Sequence, residues 1–156
     1  MLNKKIGFIG GGAMAEALIS GLVKASLVAA AHITVSDISR ERLTYLRTSF
    51  GVKTTGDSAG LAAGTDLLCL TVKPQVISDV LSLIAPVVAK TTTVVSVAAG
   101  VTVATLQDKM PEVPIVRVMP NTPVAVGEGM AALALGKYAG PDTGELVAAM
   151  FSSVGR

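Results

Sequence analysis

The chain has no tryptophan, one cysteine, one histidine and few aromatic residues of any kind, and each scarcity removes a class of function. One cysteine makes neither an intrachain disulfide nor a cysteine-based zinc site. Cys69 lies in the apolar run Leu67-Leu68-Cys69-Leu70 and reads as a buried strand thiol. His32 precedes a strand and reads as a surface residue. No histidine lies near the motifs described below, there is no Ser–His pair, and no metal site is expected. Aromatics make up 3% of the chain and charged residues 15%, with a net charge of +2 spread along its length. There is thus neither a basic stripe nor an aromatic platform for nucleic acid. No segment has the roughly 20 uninterrupted apolar residues of a membrane span. Lys4-Lys5, the apolar stretch after it and Ala13-Met14-Ala15 imitate a secretory signal with its cleavage site. Gly7, Gly10, Gly11 and Gly12 interrupt that stretch and fit another motif better, so a cytoplasmic protein is expected.

What is present is apolar and glycine-rich. About half of the 156 residues are hydrophobic (51%) and 16 are glycine. This is the size of one ordinary domain with a full core of Ala, Val, Leu, Ile and Met, and many tight turns. Strand and helix signals alternate. Strands are expected at Lys5–Ile9, Ile33–Ser36, Val52–Thr54, Asp66–Val72, Thr93–Val97, Ile115–Met119 and Met130–Leu135, with a last short one beginning in Ser152–Val154. Helices are expected at Ala13–Ala25, Arg40–Phe50, Val76–Ile84, Val103–Met110 and Asp142–Phe151. Ser39 is a natural N-cap and Gly51 a natural stop for the second helix, whose Leu43, Leu46 and Phe50 share a face. Continuous apolar strands between helices predict an α/β, doubly wound, mostly parallel sheet of Rossmann type with helices on both faces.

The sharpest local signal is Ile9-Gly10-Gly11-Gly12-Ala13-Met14-Ala15, which carries G-x-G-x-x-A directly after a strand and at the opening of a helix. Each small residue has a task in holding a pyrophosphate. Gly10 allows the sharp turn, Gly12 lets the backbone come close to phosphate, and Ala15 lets helix and strand pack tightly. The helix N-terminus offers free N–H groups and a partial positive charge to the phosphates. Asp37 follows Ala15 by 22 residues, at the end of the second strand. An acid there hydrogen-bonds the adenosine ribose and favours NAD. Arg40 is placed to take a 2′-phosphate instead, Ser36 and Ser39 can donate to either, and Asp37 with Ser39 can equally serve as caps. NAD and NADP both remain open at this point.

Three later segments follow strands: Val72-Lys73-Pro74, Val95-Ser96-Val97-Ala98-Ala99-Gly100-Val101 and Arg117-Val118-Met119-Pro120-Asn121-Thr122-Pro123. In an open α/β sheet that edge carries the ligand. Together with Ile6-Gly7-Phe8-Ile9-Gly10-Gly11-Gly12-Ala13-Met14, their order and spacing resemble pyrroline-5-carboxylate reductase from Lys5 to Gly155. The resemblance implies that Gly10 to Met14 hold the pyrophosphate and that Ser36, Asp37 and Arg40 meet the adenosine ribose. It implies that Lys73 and Pro74 lie toward the nicotinamide ribose, that Ala98 and Ala99 wall the nicotinamide, and that Asn121 and Thr122 face the substrate. Lys73 also reads as a solvated lysine at a helix start, and Asn121 as a turn former. Two positions depart from the family's pattern: Ser58 stands where some members have Asn, and Asp37 where a small polar residue is common.

The resemblance further implies that residues 1–156 are the dinucleotide-binding domain of an enzyme that reduces 1-pyrroline-5-carboxylate to proline with NADP(H) or NAD(H). A helical C-terminal domain would then supply dimerisation and most of the substrate pocket. The parent is expected to be a homo-oligomer, and this chain a monomer of little or no activity with an apolar docking patch. No catalytic residue is expected in it, because a protonated C=N bond accepts hydride directly. Two other readings stay open: a related imine reductase or hydroxy-acid dehydrogenase, and a non-catalytic domain that senses NAD(P)H.

Overall fold

The computed structural model describes residues 3–120 and 131–152. Seven strands form one sheet: β1 (Ile6–Ile9), β2 (Ile33–Ser36), β3 (Lys53–Thr55), β4 (Leu67–Leu70), β5 (Thr93–Ser96), β6 (Ile115–Pro120) and β7 (Ala131–Leu135), in the order β3-β2-β1-β4-β5-β6-β7. The first six run parallel and β7 pairs antiparallel with β6. The six helices are α1 (Ala13–Lys24), α2 (Arg40–Phe50), α3 (Ser58–Ala63), α4 (Ile77–Ile84), α5 (Val103–Lys109) and α6 (Pro141–Ser152). The expected doubly wound, mostly parallel sheet is therefore present.

The apolar pattern explains the layering. Every residue of β1 and β4 is buried, as the continuous runs Ile-Gly-Phe-Ile and Leu-Leu-Cys-Leu require of strands covered on both faces. One face packs Phe8, Val35 and Val116 against Leu18 and Leu22 of α1, Leu46 of α2 and Met150 of α6. The other packs Ile9, Leu68 and Val94 against Leu61 of α3, Leu81 of α4 and Leu106 of α5. Gly7 is needed where α3 crosses β1, because a Cβ there would lie 2.4 Å from Leu61 Cδ2 and 2.7 Å from Thr65 Cγ2.

Element ends differ from expectation where a local device intervenes. Pro74–Val76 form a 3₁₀ turn, so α4 starts at Ile77 rather than Val76. The cap of α3 is Asp57, whose side chain accepts from Gly60 N, while the hydroxyl of Ser58 is hydrogen-bonded to that of Ser36. Ser39 and Gly51 cap α2 as anticipated, Ser39 Oγ accepting from Arg42 N and Gly51 taking φ +76°. The short strand expected from Ser152 is not formed there, because α6 runs on through Ser152 and its hydroxyl donates to Ala148 O; Val154 lies outside the described residues.

Cys69 is buried as expected, and burial pushes its thiol well above the ordinary range. With almost no thiolate and no access, Cys69 is expected to be inert to a disulfide reagent at neutral pH. It should react only as fast as the domain unfolds, which stopped-flow thiol titration with and without urea would check.

Candidate dinucleotide site

The chain winds one way from β1 through β2 to β3 and the other way from β4 through β6, so the crevice beyond the C-terminal ends of β1 and β4 is the switch point of the sheet. The register brings Ile9 level with Ser36 on one side and Leu70 on the other. The residues that follow these strands therefore gather at one edge: Gly10, Gly11, Gly12, Asp37 and Thr71.

The glycines are not equivalent. Gly10 has φ +102° and donates to Ser36 O at 2.8 Å, and a Cβ on it would lie 2.7 Å from Thr71 O. Thr71 Oγ1 in turn donates to Gly10 O at 2.7 Å and Ile9 O at 3.1 Å. Gly11 is buried: its N–H donates to Asp37 Oδ2 at 2.7 Å, and its carbonyl accepts from Arg42 Nε at 2.8 Å. Gly12 is exposed, and a Cβ there would meet nothing within 4 Å. The first amide of α1 to bond back is Glu16 N, to Gly12 O at 3.0 Å, and no side chain caps the helix. The amides of Ala13, Met14 and Ala15 precede that ladder, and the space beside Gly12 at the helix start is open. The residues present fit a pyrophosphate: a bare glycine, unspent helix N–H groups and the positive end of α1.

One side of the crevice is built from the end of β2. Asp37 is half-buried, and its second oxygen accepts from Ser39 N at 2.8 Å, so the carboxylate ties the glycine turn to the start of α2. Ser36 is buried, with its hydroxyl on Ser58. Arg40 is exposed on the first turn of α2, and among the described residues its guanidinium has no hydrogen bond or ion pair. Ile38, between Asp37 and Ser39, is fully exposed. Its signal in the sequence is a lone apolar residue in a polar loop after a strand.

Arg42 was not singled out from the sequence. Besides holding Gly11 O, it pairs with Glu16 Oε1 at 2.9 Å and lies over the Tyr45 ring at 5.0 Å, while Tyr45 Oη donates to Glu16 Oε2 at 2.9 Å. Each side chain of the pair is about one-third exposed (34% and 32%), so its Coulomb energy is under about 1 kcal/mol. Its contribution is to hold the turn's carbonyl in place. The Glu16 carboxylate, by accepting from the phenol and by its charge, raises the Tyr45 pKa above its ordinary value, and Arg42 opposes it. Glu16→Gln removes the raising charge. In a spectrophotometric tyrosine titration, Tyr45 is expected to move down toward 10.0.

The remaining expected residues also follow strand ends. Lys73 and Pro74 are exposed after β4. After β5, Ala98 is buried with its N–H on Ser96 Oγ at 3.3 Å, and Ala99 is exposed. Asn121 and Thr122 lie outside the described residues. No cluster of three metal-ligating side chains occurs among the described residues, and no described helix is long and apolar enough to cross a membrane.

The family described as NADP oxidoreductase coenzyme F420-dependent matches residues 5–100, which include β1 to β5, the glycine turn and the β2 acid. The chain belongs to that family. Among curated relatives, pyrroline-5-carboxylate reductase of Methanosarcina acetivorans is 39% identical over 99% of this chain and 58% of its own length. Pyrroline-5-carboxylate reductase 1 of Bacillus subtilis is 37% identical over 98% of this chain and 52% of its own. Among solved structures, a pyrroline-5-carboxylate reductase from Coxiella burnetii superposes with a TM-score of 0.93 at 31% identity, over 99% of this chain and 57% of that one. The Plasmodium falciparum enzyme, solved with NADP bound, superposes at 0.86 and 28% identity, over 99% and 56%. This chain thus spans a little over half the length of the pyrroline-5-carboxylate reductases it matches.

Proposed function

We propose that this chain is the cofactor-binding domain of a pyrroline-5-carboxylate reductase, an oxidoreductase that reduces the C=N bond of 1-pyrroline-5-carboxylate to give proline. The observation that carries the reading is the open, uncapped start of α1 beside Gly12 at the switch point, in a chain 39% identical to one such reductase. A bound reduced nicotinamide supplies the hydride that the substrate carbon accepts. The chain's own residues bind and orient. Gly12, Ala13 and Met14 present backbone N–H groups to the pyrophosphate, and Gly10 and Gly11 shape that turn. Asp37 holds the turn against α2 and, with Ser36 behind it, borders the adenosine ribose. Ile38 offers apolar surface to the adenine ring. Lys73, Pro74, Ala98 and Ala99 line the path toward the nicotinamide, and Asn121 borders the substrate. No residue here is assigned a proton-transfer role.

NADP(H) is favoured over NAD(H) because both Asp37 oxygens already accept backbone N–H groups, whereas Arg40 is exposed and unpartnered among the described residues. An unpaired guanidinium suits a 2′-phosphate. Arg40→Gln is expected to weaken NADPH binding by about tenfold or more and to leave NADH binding unchanged, as calorimetric titration would show.

The remaining length of the relatives is where we place the substrate pocket and a dimer interface, with this chain by itself a cytoplasmic monomer that binds cofactor and turns over poorly. Replacing the matching part of the Methanosarcina acetivorans relative with this chain tests the assignment. The folded chimera is expected to oxidise NADPH when 1-pyrroline-5-carboxylate is added and to release proline. A folded chimera that binds NADPH without forming proline would overturn the reductase assignment.

A further inference from the structure

The opposite edge of the sheet carries a second concavity. Lys5 precedes β1, His32 precedes β2, Lys53 opens β3 and Thr65 precedes β4, so all four lie at the N-terminal ends of their strands. They line a cavity of about 280 Å³ together with Thr34, Leu61 and the two glycines Gly60 and Gly64. That volume is near the small end of ligand pockets, which run from about 300 to 1,000 Å³.

The fold explains why the cavity is there. The register sets Gly7, Thr34 and Lys53 in one row across three strands. The element that crosses this face between β3 and β4 is α3, a helix of only 6 residues stopped by Gly64. It covers β1 through Leu61 and leaves Thr34 and Lys53 open beyond it.

The lining is positive and its hydroxyls are unspent. Lys5, His32 and Lys53 make no ion pair among the described residues, where the pairs are Arg42–Glu16 and Lys90–Glu112. The neighbouring acids serve the backbone instead: Asp66 Oδ2 accepts from Lys5 N at 2.8 Å, and Asp57 Oδ1 accepts from Gly60 N at 3.0 Å. Neither acid lines the cavity. Thr65 Oγ1 is buried with no hydrogen-bond partner, an arrangement that costs free energy unless something fills it.

We propose that this cavity binds a phosphate group, as the free ion or as a small monoester, independently of the dinucleotide crevice. Two lysines, a histidine and a hydroxyl without a hydrogen-bond partner around one concavity match an oxyanion with several acceptor oxygens.

The test is amide and histidine-ring chemical-shift mapping of the labelled chain, titrated with inorganic phosphate and separately with glycerol phosphate, at fixed pH and ionic strength. The amides of Thr34, Lys53, Gly60, Gly64 and Thr65 and the His32 ring are expected to shift along one saturating curve. The probe that saturates at lower concentration identifies the source. Residue resolution separates these shifts from any at Gly12 to Met14. Lys53→Gln and Thr65→Val, the second keeping the methyl that packs on Gly7, are each expected to weaken the cavity curve by about tenfold; Lys109→Gln, on another helix, should not change it. Shifts confined to Gly12–Met14, shifts that never saturate, or a cavity curve unchanged by both substitutions would overturn the proposal.

Discussion

Gly12→Asp is expected to leave the domain's stability within about 0.5 kcal/mol of the wild type while lowering its affinity for NADPH by at least about a hundredfold. The two effects separate because of where the residue sits. Gly12 has φ −81° and ψ −159°, which any residue adopts, and its Cβ would project into space empty to 4 Å. An aspartate there is a good N-cap for α1 and a favourable charge at the helix start. That same carboxylate would occupy the position proposed for the pyrophosphate. Like charges about 4 Å apart repel by about 4 kcal/mol at an effective dielectric of 20. Urea denaturation and calorimetric titration of one preparation read both effects. Equal affinities for wild type and variant would mean that the crevice beside Gly12 is not where the cofactor lies.

Gly10→Ala, two residues earlier, is expected to do the reverse and strike stability first. Its φ of +102° is strained for any residue with a Cβ, and that atom would lie 2.7 Å from Thr71 O and 2.8 Å from Thr71 C. The neighbour is backbone at the end of β4, held by hydrogen bonds to Ile9 and Gly10 on β1's side, and cannot turn away as a side chain would. Strain and overlap together are expected to cost about 3 kcal/mol or more. This would appear as a lowered urea midpoint, with NADPH affinity falling as the turn distorts. A variant as stable as the wild type would mean that β1 and β4 separate more easily at that edge than these contacts imply.

The contrast also shows what a linear sequence discloses. The glycine turn was legible because each of its signals is local: an apolar strand, small residues at fixed offsets and a helix opening. Buried strands β1 and β4, the caps Ser39 and Gly51 and the buried Cys69 were legible for the same reason. Contacts between distant segments were not. Nothing about Arg42 in a charged helix says that its Nε reaches 31 residues back to Gly11 O. Nothing about Asp37 says that it braces the Gly11 amide before it meets any ribose. Helix α3 gave little signal, because six residues that include Gly60 have weak intrinsic preference and are held by Leu61 against Gly7. The basic cavity is the extreme case, since its lining comes from four separate strand starts that only the sheet brings together.

The most direct test of the central claim, that the turn from Gly10 to Met14 seats a nicotinamide dinucleotide, is calorimetric titration of NADPH into this chain beside the Gly12→Asp variant. The account predicts saturable one-site binding to the wild-type chain and none measurable to the variant at the same concentrations. A wild-type chain that is folded by circular dichroism yet binds no NADPH and no NADH would contradict it.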